Sequence, residues 1–387
     1  MGMVIATDFL RCNLQLDEKH HIETIRLFVN SFSLHSFTTY AEMQPPFSYM
    51  LYALAGIACG DHVWVYRLLT LAFAGMTIFV LFLVLRVLTE SNGRALIGCM
   101  VFLANPYVMG LSVFVYSDML GLLFLSLAVL ASLHQRPWLF CCAAACTILL
   151  RQFNVFAPLA VAVWATVLWL RCRKPGALLF PGAALLSLIP AAVLFLYWGD
   201  FAPPHGMRLR NPWQSRGFHP SYIIAYLTLL PVYAAPVVVF FKRQIFSIKR
   251  FGIASLVGLV YFVFPIKVLS SIKLLMNLET VGFFHKFLKA ITAGNLWIEH
   301  GVFYLLFCCS LCLLYWLVTT TVAAQRDGNR RSENLLFGAA VTLSFLAVMS
   351  CYINVWEKYL VPLLPFFLGW MLLCVPSRSI VPTRSDY

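Results

Sequence analysis

Long runs of apolar residues recur along the chain and alternate with short polar segments. Runs such as residues 78–88 and 303–318 are continuous and rich in leucine, whereas a membrane barrel needs short strands that alternate apolar and polar positions. The pattern therefore predicts an all-α fold, a polytopic transmembrane helical bundle of about ten to twelve membrane segments. We place these segments at residues 47–59, 64–89, 95–114, 117–133, 137–155, 156–170, 177–198, 222–241, 252–270, 300–323, 334–353 and 358–375.

The composition agrees with a single membrane domain over residues 1–387. Hydrophobic residues make up 61% of the chain and charged residues 11%. The net charge of +13 would suit a nucleic-acid partner, but the lysines and arginines are scattered through short loops, which membrane topology explains better. The twelve cysteines predict no disulfide framework and no zinc site, because clusters such as residues 141–146 and 308–312 lie inside apolar runs.

Basic and acidic residues fall on opposite predicted faces of the membrane. By the positive-inside rule, the loops that contain residues such as Arg94, Arg136 and Arg330 face the cytoplasm. Charge beside a membrane is costly and is usually retained for function. We therefore expect the chemistry on the outer face, which is lumenal in the endoplasmic reticulum or periplasmic at a bacterial inner membrane. The acidic residues that we assign to this face are Asp17, Glu18, Glu23, Asp61, Asp118, Asp200, Glu299 and Glu357.

The first outer loop, residues 17–63, carries the strongest candidate chemistry. Asp17 and Glu18 lie four and three residues before His21, so in a helix a carboxylate and an imidazole share one face. A general base and its orienting partner are placed in this way. Apolar residues then recur at helical spacing over 22–32, which predicts an interfacial helix that lies along the membrane surface.

Polar residues between later apolar runs add further candidates. Asp118 follows a serine and is either a catalytic carboxylate or only the N-terminal cap of a helix, and the two roles can coexist. Arg151, Gln152 and Asn154 interrupt an apolar stretch and would be costly facing lipid. We therefore expect these residues to face a polar cavity.

The basic outer loop, residues 199–221, departs from the positive-inside rule. Its guanidinium groups suit phosphate oxygens through paired hydrogen bonds, which predicts an anionic ligand, and the alternative is contact with lipid head groups. Lys358 either binds a ligand or anchors a helix end by snorkelling. The ligand-binding candidates of these two regions are His205, Arg208, Arg210, Arg216, Lys358 and Tyr359.

Several classes of site find no support in the sequence. There is no Gly-rich P-loop and no GxGxxG after a strand, so a nucleotide sugar or ATP is not an evident substrate. No Ser-His-Asp order can be assigned. A divalent metal held by Asp17, Asp118 and His205 is conceivable but not expected, and we predict no cofactor.

The order of these motifs resembles the GT-C superfamily of integral-membrane glycosyltransferases, and within it the dolichyl-phosphate-glucose-dependent alpha-1,2-glucosyltransferase family. The similar positions extend over residues 17–365. They are Asp17, Glu18 and His21 in Asp-Glu-x-x-His, Pro45 and Pro46 at the loop end, Tyr116 and Asp118 in Tyr-x-Asp, Arg151, Gln152 and Asn154 in Arg-Gln-x-Asn, Gly199 and Asp200 in the Gly-Asp loop, and Lys358 and Tyr359 in the late basic-Tyr pair.

The resemblance implies a GT-C-like fold, a polyprenyl- or dolichyl-phosphate sugar donor, a lipid-linked glycan acceptor and contact with membrane lipids. It also implies an essential carboxylate in the first outer loop. The family's first membrane helix has no counterpart in residues 1–16, which are too polar to cross a bilayer, so we expect either that the chain starts late or that its first helix is missing.

We therefore expect a hexosyltransferase, glucose being the preferred sugar, that inverts the anomeric carbon. We expect Asp17 to act as general base and Glu18 and His21 to orient it. The resemblance further implies that Arg151 and Gln152 line the pocket for the donor sugar or phosphate. The candidates for stabilising the charge of the donor phosphate are Arg208, Arg210, Arg216 and Lys358. The alternative is a multi-pass transporter or flippase for a lipid-linked or anionic substrate, although no internal repeat of the kind that transporters show is visible. A catalytically inactive relative kept as a scaffold is a third possibility.

Overall fold

The computed structural model describes residues 14, 17–173, 175–206, 217–266, 279–326, 328–352 and 355–375. Over these ranges the regular secondary structure is helical, with no strand. The α-helices are α1 (Glu18–Asn30), α2 (Ser36–Thr39), α3 (Phe47–Cys59), α4 (Val63–Thr89), α5 (Asn92–Leu103), α6 (Pro106–Val113), α7 (Asp118–Leu133), α8 (Pro137–Leu150), α9 (Phe156–Cys172), α10 (Leu179–Trp198), α11 (Pro220–Tyr233), α12 (Ala235–Phe240), α13 (Lys242–Ile245), α14 (Ile248–Gly258), α15 (Val260–Val263), α16 (Phe283–Ile291), α17 (Leu296–Ala324), α18 (Arg330–Met349) and α19 (Leu364–Cys374).

The helices confirm an all-α, multi-pass membrane protein. In the described part of the chain, five helices are long and apolar enough to cross a bilayer, and a bent pair is a possible sixth crossing. These five are Val63–Thr89, Gln152–Arg171, Gly176–Trp198, Leu296–Ala324 and Arg330–Met349. Shorter apolar helices coincide with further predicted segments, namely Phe47–Cys59, Asp118–Leu133, Pro137–Leu150, Pro220–Tyr233 and Leu364–Cys374.

Some predicted segments are broken in the structure. The segment predicted at 95–114 consists of α5 and α6, which are bent by 77°. The break falls at Asn105, whose side chain accepts a hydrogen bond from the Tyr107 N–H at 2.9 Å and so begins a new helix, with Pro106 as its first residue. The segment predicted at 222–241 is likewise divided, between α11 and α12, beside a proline at the start of α12.

The chain divides into two compact units. Unit 1 comprises Met1–Val84 and Leu103–Arg216, and unit 2 comprises Leu85–Phe102 and Gly217–Tyr387. In unit 1, the apolar face of α1 lies against α3 in a buried cluster rich in aromatic rings. Its members are Ile22, Ile25, Phe28, Tyr40, Tyr49, Tyr52, Ala53, Tyr66, Val115 and Trp198.

The cluster corrects the expected environment of α1. Ile22, Ile25 and Phe28, which predicted contact with the membrane surface, are no more than 1% exposed and contact protein instead of lipid. The reason is that an amphipathic pattern shows only that one face is apolar, and residues as distant as Trp198 cover it here. Phe32, at the end of the same pattern, stays exposed.

Unit 2 contains a tight helix pair formed by α18 and α19. A Cβ at Gly338 would lie 2.6 Å from the Cβ of Trp370, so glycine allows this close approach. The Trp370 indole N–H donates to the Thr321 hydroxyl at 2.9 Å, and the Asn334 amide donates to the Leu88 carbonyl oxygen at 2.9 Å. Side-chain hydrogen bonds therefore fix the helices of unit 2 where apolar packing alone would leave them less specific.

Candidate functional site

Glu18 is held in a buried ion pair that anchors the first turn of α1. Its two carboxylate oxygens accept hydrogen bonds from the Arg67 guanidinium, at 2.9 Å from Nε and 2.6 Å from Nη2, and both side chains are fully buried. The Val115 N–H also donates to Glu18 Oε1 at 3.1 Å, and the Arg67 guanidinium lies over the Phe114 ring. This carboxylate is therefore neutralised and fixed, as a structural anchor requires.

His21 lies beside the anchor and is also buried. Its Nδ1 forms a 2.9 Å hydrogen bond with the Tyr49 hydroxyl, and its ring packs on the rings of Tyr49 and Tyr116. The imidazole thus joins α1 to α3 and to the segment before α7. Its position fixes the turn that carries the preceding carboxylates.

Tyr116 lies near three carboxylates: Glu18 accepts a hydrogen bond from the preceding Val115 N–H, Asp17 precedes Glu18, and Asp118 follows the tyrosine by two residues. Burial, together with the nearby carboxylates of Asp17, Asp118 and Glu18, raises the pKa of the Tyr116 hydroxyl, which also forms a hydrogen bond with the Asp17 backbone. Asp17 stands at the N-terminal end of α1 and makes no side-chain cap of the helix. Of the three carboxylates, Asp17 is the exposed one, whereas Glu18 and Asp118 are buried.

Asp118 opens α7 and forms a buried ion pair with the Arg151 guanidinium. Arg151 lies where α8 ends, and the turn that follows is fixed by Asn154, whose amide donates to the Thr147 hydroxyl at 2.8 Å. Thr147 in turn donates to the Gly121 carbonyl oxygen at 2.9 Å. Arg151 and Asn154 thus each find a partner within the protein, which reduces the cost of placing these polar residues between membrane helices.

Gln152 and Gln44 tie the loops together. The Gln152 amide donates to the carbonyl oxygens of Met43 and Phe201, the latter at 3.2 Å. The Ser117 hydroxyl donates to the Gln44 side-chain oxygen at 2.6 Å. These bonds hold residues 43–44 of the first outer loop and the start of the 199–221 loop around the turn that begins α7.

The 199–206 segment packs closely on the first outer loop. A Cβ at Gly206 would lie 2.8 Å from the Glu42 carbonyl oxygen, so only glycine fits there without a shift. The Glu42 side chain itself is buried. His205, predicted to bind the donor, is in the same segment and is exposed.

The other donor-binding candidates are three arginines of the basic loop and two residues of unit 2. Arg208, Arg210 and Arg216 fall outside the described residues, so their roles stay predictions. Lys358 and Tyr359 belong to unit 2, where the Lys358 ammonium lies 5.9 Å from the centre of the Tyr359 ring.

A metal site is not formed by the carboxylates and imidazoles of the described residues. No group of three or more His, Cys, Asp or Glu side chains there converges as metal ligands would. Asp17, Asp118 and His205, the combination that the sequence left open, are all described and do not form such a group.

Sequence reasoning missed two buried charges of unit 1. Arg67 lies within a long apolar run, and an arginine at such a position signals a buried acidic partner. The second is Glu42, a buried carboxylate near Tyr40. Burial and the Glu42 carboxylate together raise the pKa of the Tyr40 hydroxyl group. The place of Glu42 shortly before Gln44-Pro45-Pro46, in the loop with the other acids, was the available signal.

Asp17 is an exposed carboxylate beside a buried layer of paired polar side chains. Glu18 and Asp118 are committed to arginines, while Asp17 is next to Glu18 on a helix that the Glu18–Arg67 pair and His21 hold in place. Such a carboxylate can accept a proton from a hydroxyl group brought within hydrogen-bond reach.

Comparison with known proteins gives limited matches. No family model and no curated protein sequence matches the chain. Two solved structures resemble it, both of ArnT from Cupriavidus metallidurans. The apo structure has 15% identity and a TM-score of 0.43, covering 96% of this chain and 76% of that one. The structure bound to undecaprenyl phosphate has 16% identity and a TM-score of 0.45, covering 94% and 73%.

Proposed function

We propose that the chain is a membrane glycosyltransferase of the GT-C type. It transfers a hexose, glucose by preference, from a polyprenyl- or dolichyl-phosphate carrier to a hydroxyl group of a lipid-linked glycan or envelope polymer. The observation that carries the proposal is that three carboxylates lie beside the Val115–Asp118 turn of a multi-pass membrane protein. Glu18 accepts a hydrogen bond from the Val115 N–H at 3.1 Å, Asp17 begins the same helix, and Asp118 ends the turn, with Asp17 alone of the three exposed. The motif order at these positions supports the same class.

In this scheme Asp17 removes the proton from the acceptor hydroxyl group. The acceptor oxygen attacks the anomeric carbon of the donor sugar as the bond from that carbon to the phosphate oxygen breaks. The electron pair of the broken bond leaves with the polyprenyl phosphate. A single displacement of this kind inverts the anomeric carbon, and a product with the donor's configuration would contradict it.

The buried ion pairs give Glu18 and Asp118 a different role from that of Asp17. Glu18 and Asp118 are held by Arg67 and Arg151, so they position the helix starts that carry the site and keep its polar floor neutral. The leaving phosphate needs positive charge, because its negative charge grows in the transition state. We assign the stabilisation of this charge to the arginines of the basic loop, Arg208, Arg210 and Arg216. In the sequence they follow Phe201, whose carbonyl oxygen accepts a hydrogen bond from Gln152.

The test is a transfer assay with purified protein in lipid nanodiscs. Polyprenyl-phosphate glucose and polyprenyl-phosphate mannose, each radiolabelled in the sugar, are incubated with native membrane lipids as acceptors. The proposal expects label to move into a new lipid-linked product from glucose, with less or none from mannose. Label that crosses the membrane of a proteoliposome while still attached to its carrier would instead indicate the transporter or flippase.

A further inference from the structure

Helix α16 presents an apolar face that the described residues of unit 2 do not bury. Phe283, Phe287 and Ile291 recur every fourth residue and are 54%, 60% and 64% exposed. Residues four apart lie on the same face of a helix, so the three form one stripe. The apolar residues Ile22, Ile25 and Phe28 of the amphipathic helix α1 are, by contrast, buried in protein. The two helices therefore differ in whether their apolar face is covered.

The N-terminal end of α16 is capped by a buried carboxylate. Glu357 accepts hydrogen bonds from the backbone N–H groups of Phe284 and His285, at 2.9 and 2.8 Å, and from the Tyr233 hydroxyl. The first N–H groups of a helix have no partner inside the helix. A carboxylate there accepts their hydrogen bonds and interacts favourably with the positive end of the helix dipole. Glu357 therefore fixes where α16 begins.

The inner face of α16 is fixed by a second contact. The Val281 N–H donates to His285 Nδ1 at 3.1 Å, so the ring proton resides on Nε2, which donates to Glu299 Oε1 at 2.8 Å. Glu299 lies in the first turn of α17, and the His285 ring also packs edge-on against Phe303. Because His285 faces inward in this way, the stripe of Phe283, Phe287 and Ile291 faces outward.

The position of α16 in the chain identifies what covers this stripe. Its nine residues rise by about 1.5 Å each, which is far too short to cross a hydrocarbon core of about 30 Å. A four-residue turn, with Gly294 in the left-handed region, connects it to the 29-residue membrane helix α17. Trp297 in the first turn of α17 is 88% exposed, as expected of a ring in the aromatic belt at the membrane boundary.

The charges beside the stripe suit a lipid surface. Lys286 is exposed next to Phe287, and Lys289 pairs with Glu279. A phenylalanine-rich face flanked by lysine fits the boundary between acyl chains and phosphate head groups. We propose that the stripe of α16 is inserted in the interfacial layer of one leaflet, with Lys286 directed toward lipid phosphate, and that Glu357, His285 and Glu299 hold it in that orientation.

The test measures local contact with lipid and with water in the full-length protein. A fluorescent non-natural amino acid replaces Phe287 in one sample and Phe283 in a second, and replaces Lys286, the adjacent exposed position, as the matched control. Each protein is placed in nanodiscs that contain anionic lipid. Fluorescence is then quenched either by lipids with a doxyl group near the head of the acyl chain or by iodide in the water.

The expected result is several-fold stronger quenching by the doxyl lipid at 287 and 283 than at 286, with iodide quenching in the opposite order. Equal access of iodide to 287 and 286 would place the stripe in water and overturn the proposal. Resistance of 287 to both quenchers would mean that protein covers the stripe, which overturns it too. Enzyme activity enters none of these readouts, so the result is independent of the proposed transfer reaction.

Discussion

Replacing Glu18 by leucine should destabilise the protein severely, because it leaves the Arg67 guanidinium charged and fully buried without its partner. Removal of one member of a buried ion pair typically costs about 3–5 kcal/mol. The Val115 N–H would lose its acceptor as well, which adds roughly 1–2 kcal/mol. The measurement is the free energy of unfolding in mixed micelles, followed by tryptophan fluorescence as the fraction of denaturing detergent increases.

The double variant Glu18→Leu with Arg67→Met distinguishes a structural role of Glu18 from a catalytic role. With no unpaired charge left at this position, it should lose only about 1–2 kcal/mol, mainly from the Val115 N–H, and far less than the sum of the two single variants. We also expect it to retain measurable sugar transfer. Additive losses in the double variant would refute the ion-pair reasoning, and full stability of Glu18→Leu without activity would make Glu18 a catalytic residue.

Other consequences concern the loops around the site. Gln152→Ala should speed proteolysis of the first outer loop several-fold in folded protein, since two loop carbonyls lose their shared donor; unchanged cleavage would contradict this role. Gly206→Ala should lower the unfolding temperature, because its Cβ would lie 2.8 Å from the Glu42 carbonyl oxygen, whereas an alanine at the unobstructed Gly176 should be neutral. In the folded protein the pKa of Tyr116 is raised above the ordinary tyrosine value of 10.0. The contribution of this hydroxyl group to the free energy of unfolding is therefore fully present below that pH and is lost as the pH rises above it. Tyr116→Phe should therefore unfold less steeply with rising pH in that alkaline range, and an identical profile would contradict the burial of this hydroxyl.

The helical class could be read from the sequence because membrane helices are dictated by local composition. The segment predicted at 47–59 coincides with α3, and the predicted 64–89 segment differs from α4 by one residue. Their apolar length alone determines them, since every backbone polar group must be satisfied within the segment. The break at Asn105 was also encoded locally, as a capping residue followed by proline, but its signal is weak inside an apolar run.

The partners of the polar residues could not be read from the sequence. Glu18 and Arg67 are separated by 49 positions, and Asp118 and Arg151 by 33, so their pairing depends on how the helices pack. The sequence therefore indicated that Glu18 and Asp118 matter without showing that each is neutralised by an arginine. The lipid contact expected for α1 was wrong for Ile22 for the same reason, because helix periodicity does not reveal which surface covers the apolar face.

The most direct test of the account compares two carboxylates on one helix. Asp17 and Glu23 are both exposed, Asp17 immediately before α1 and Glu23 within its first half, and Glu23 lies 3.5 Å from His20. Sugar transfer from polyprenyl-phosphate glucose is measured for Asp17→Asn and Glu23→Gln at equal amounts of folded protein. The account predicts that Asp17→Asn loses at least about a hundredfold in rate, as removal of a general base does, while Glu23→Gln keeps native activity. Full activity in a folded Asp17→Asn protein would contradict the assignment of Asp17 as the base.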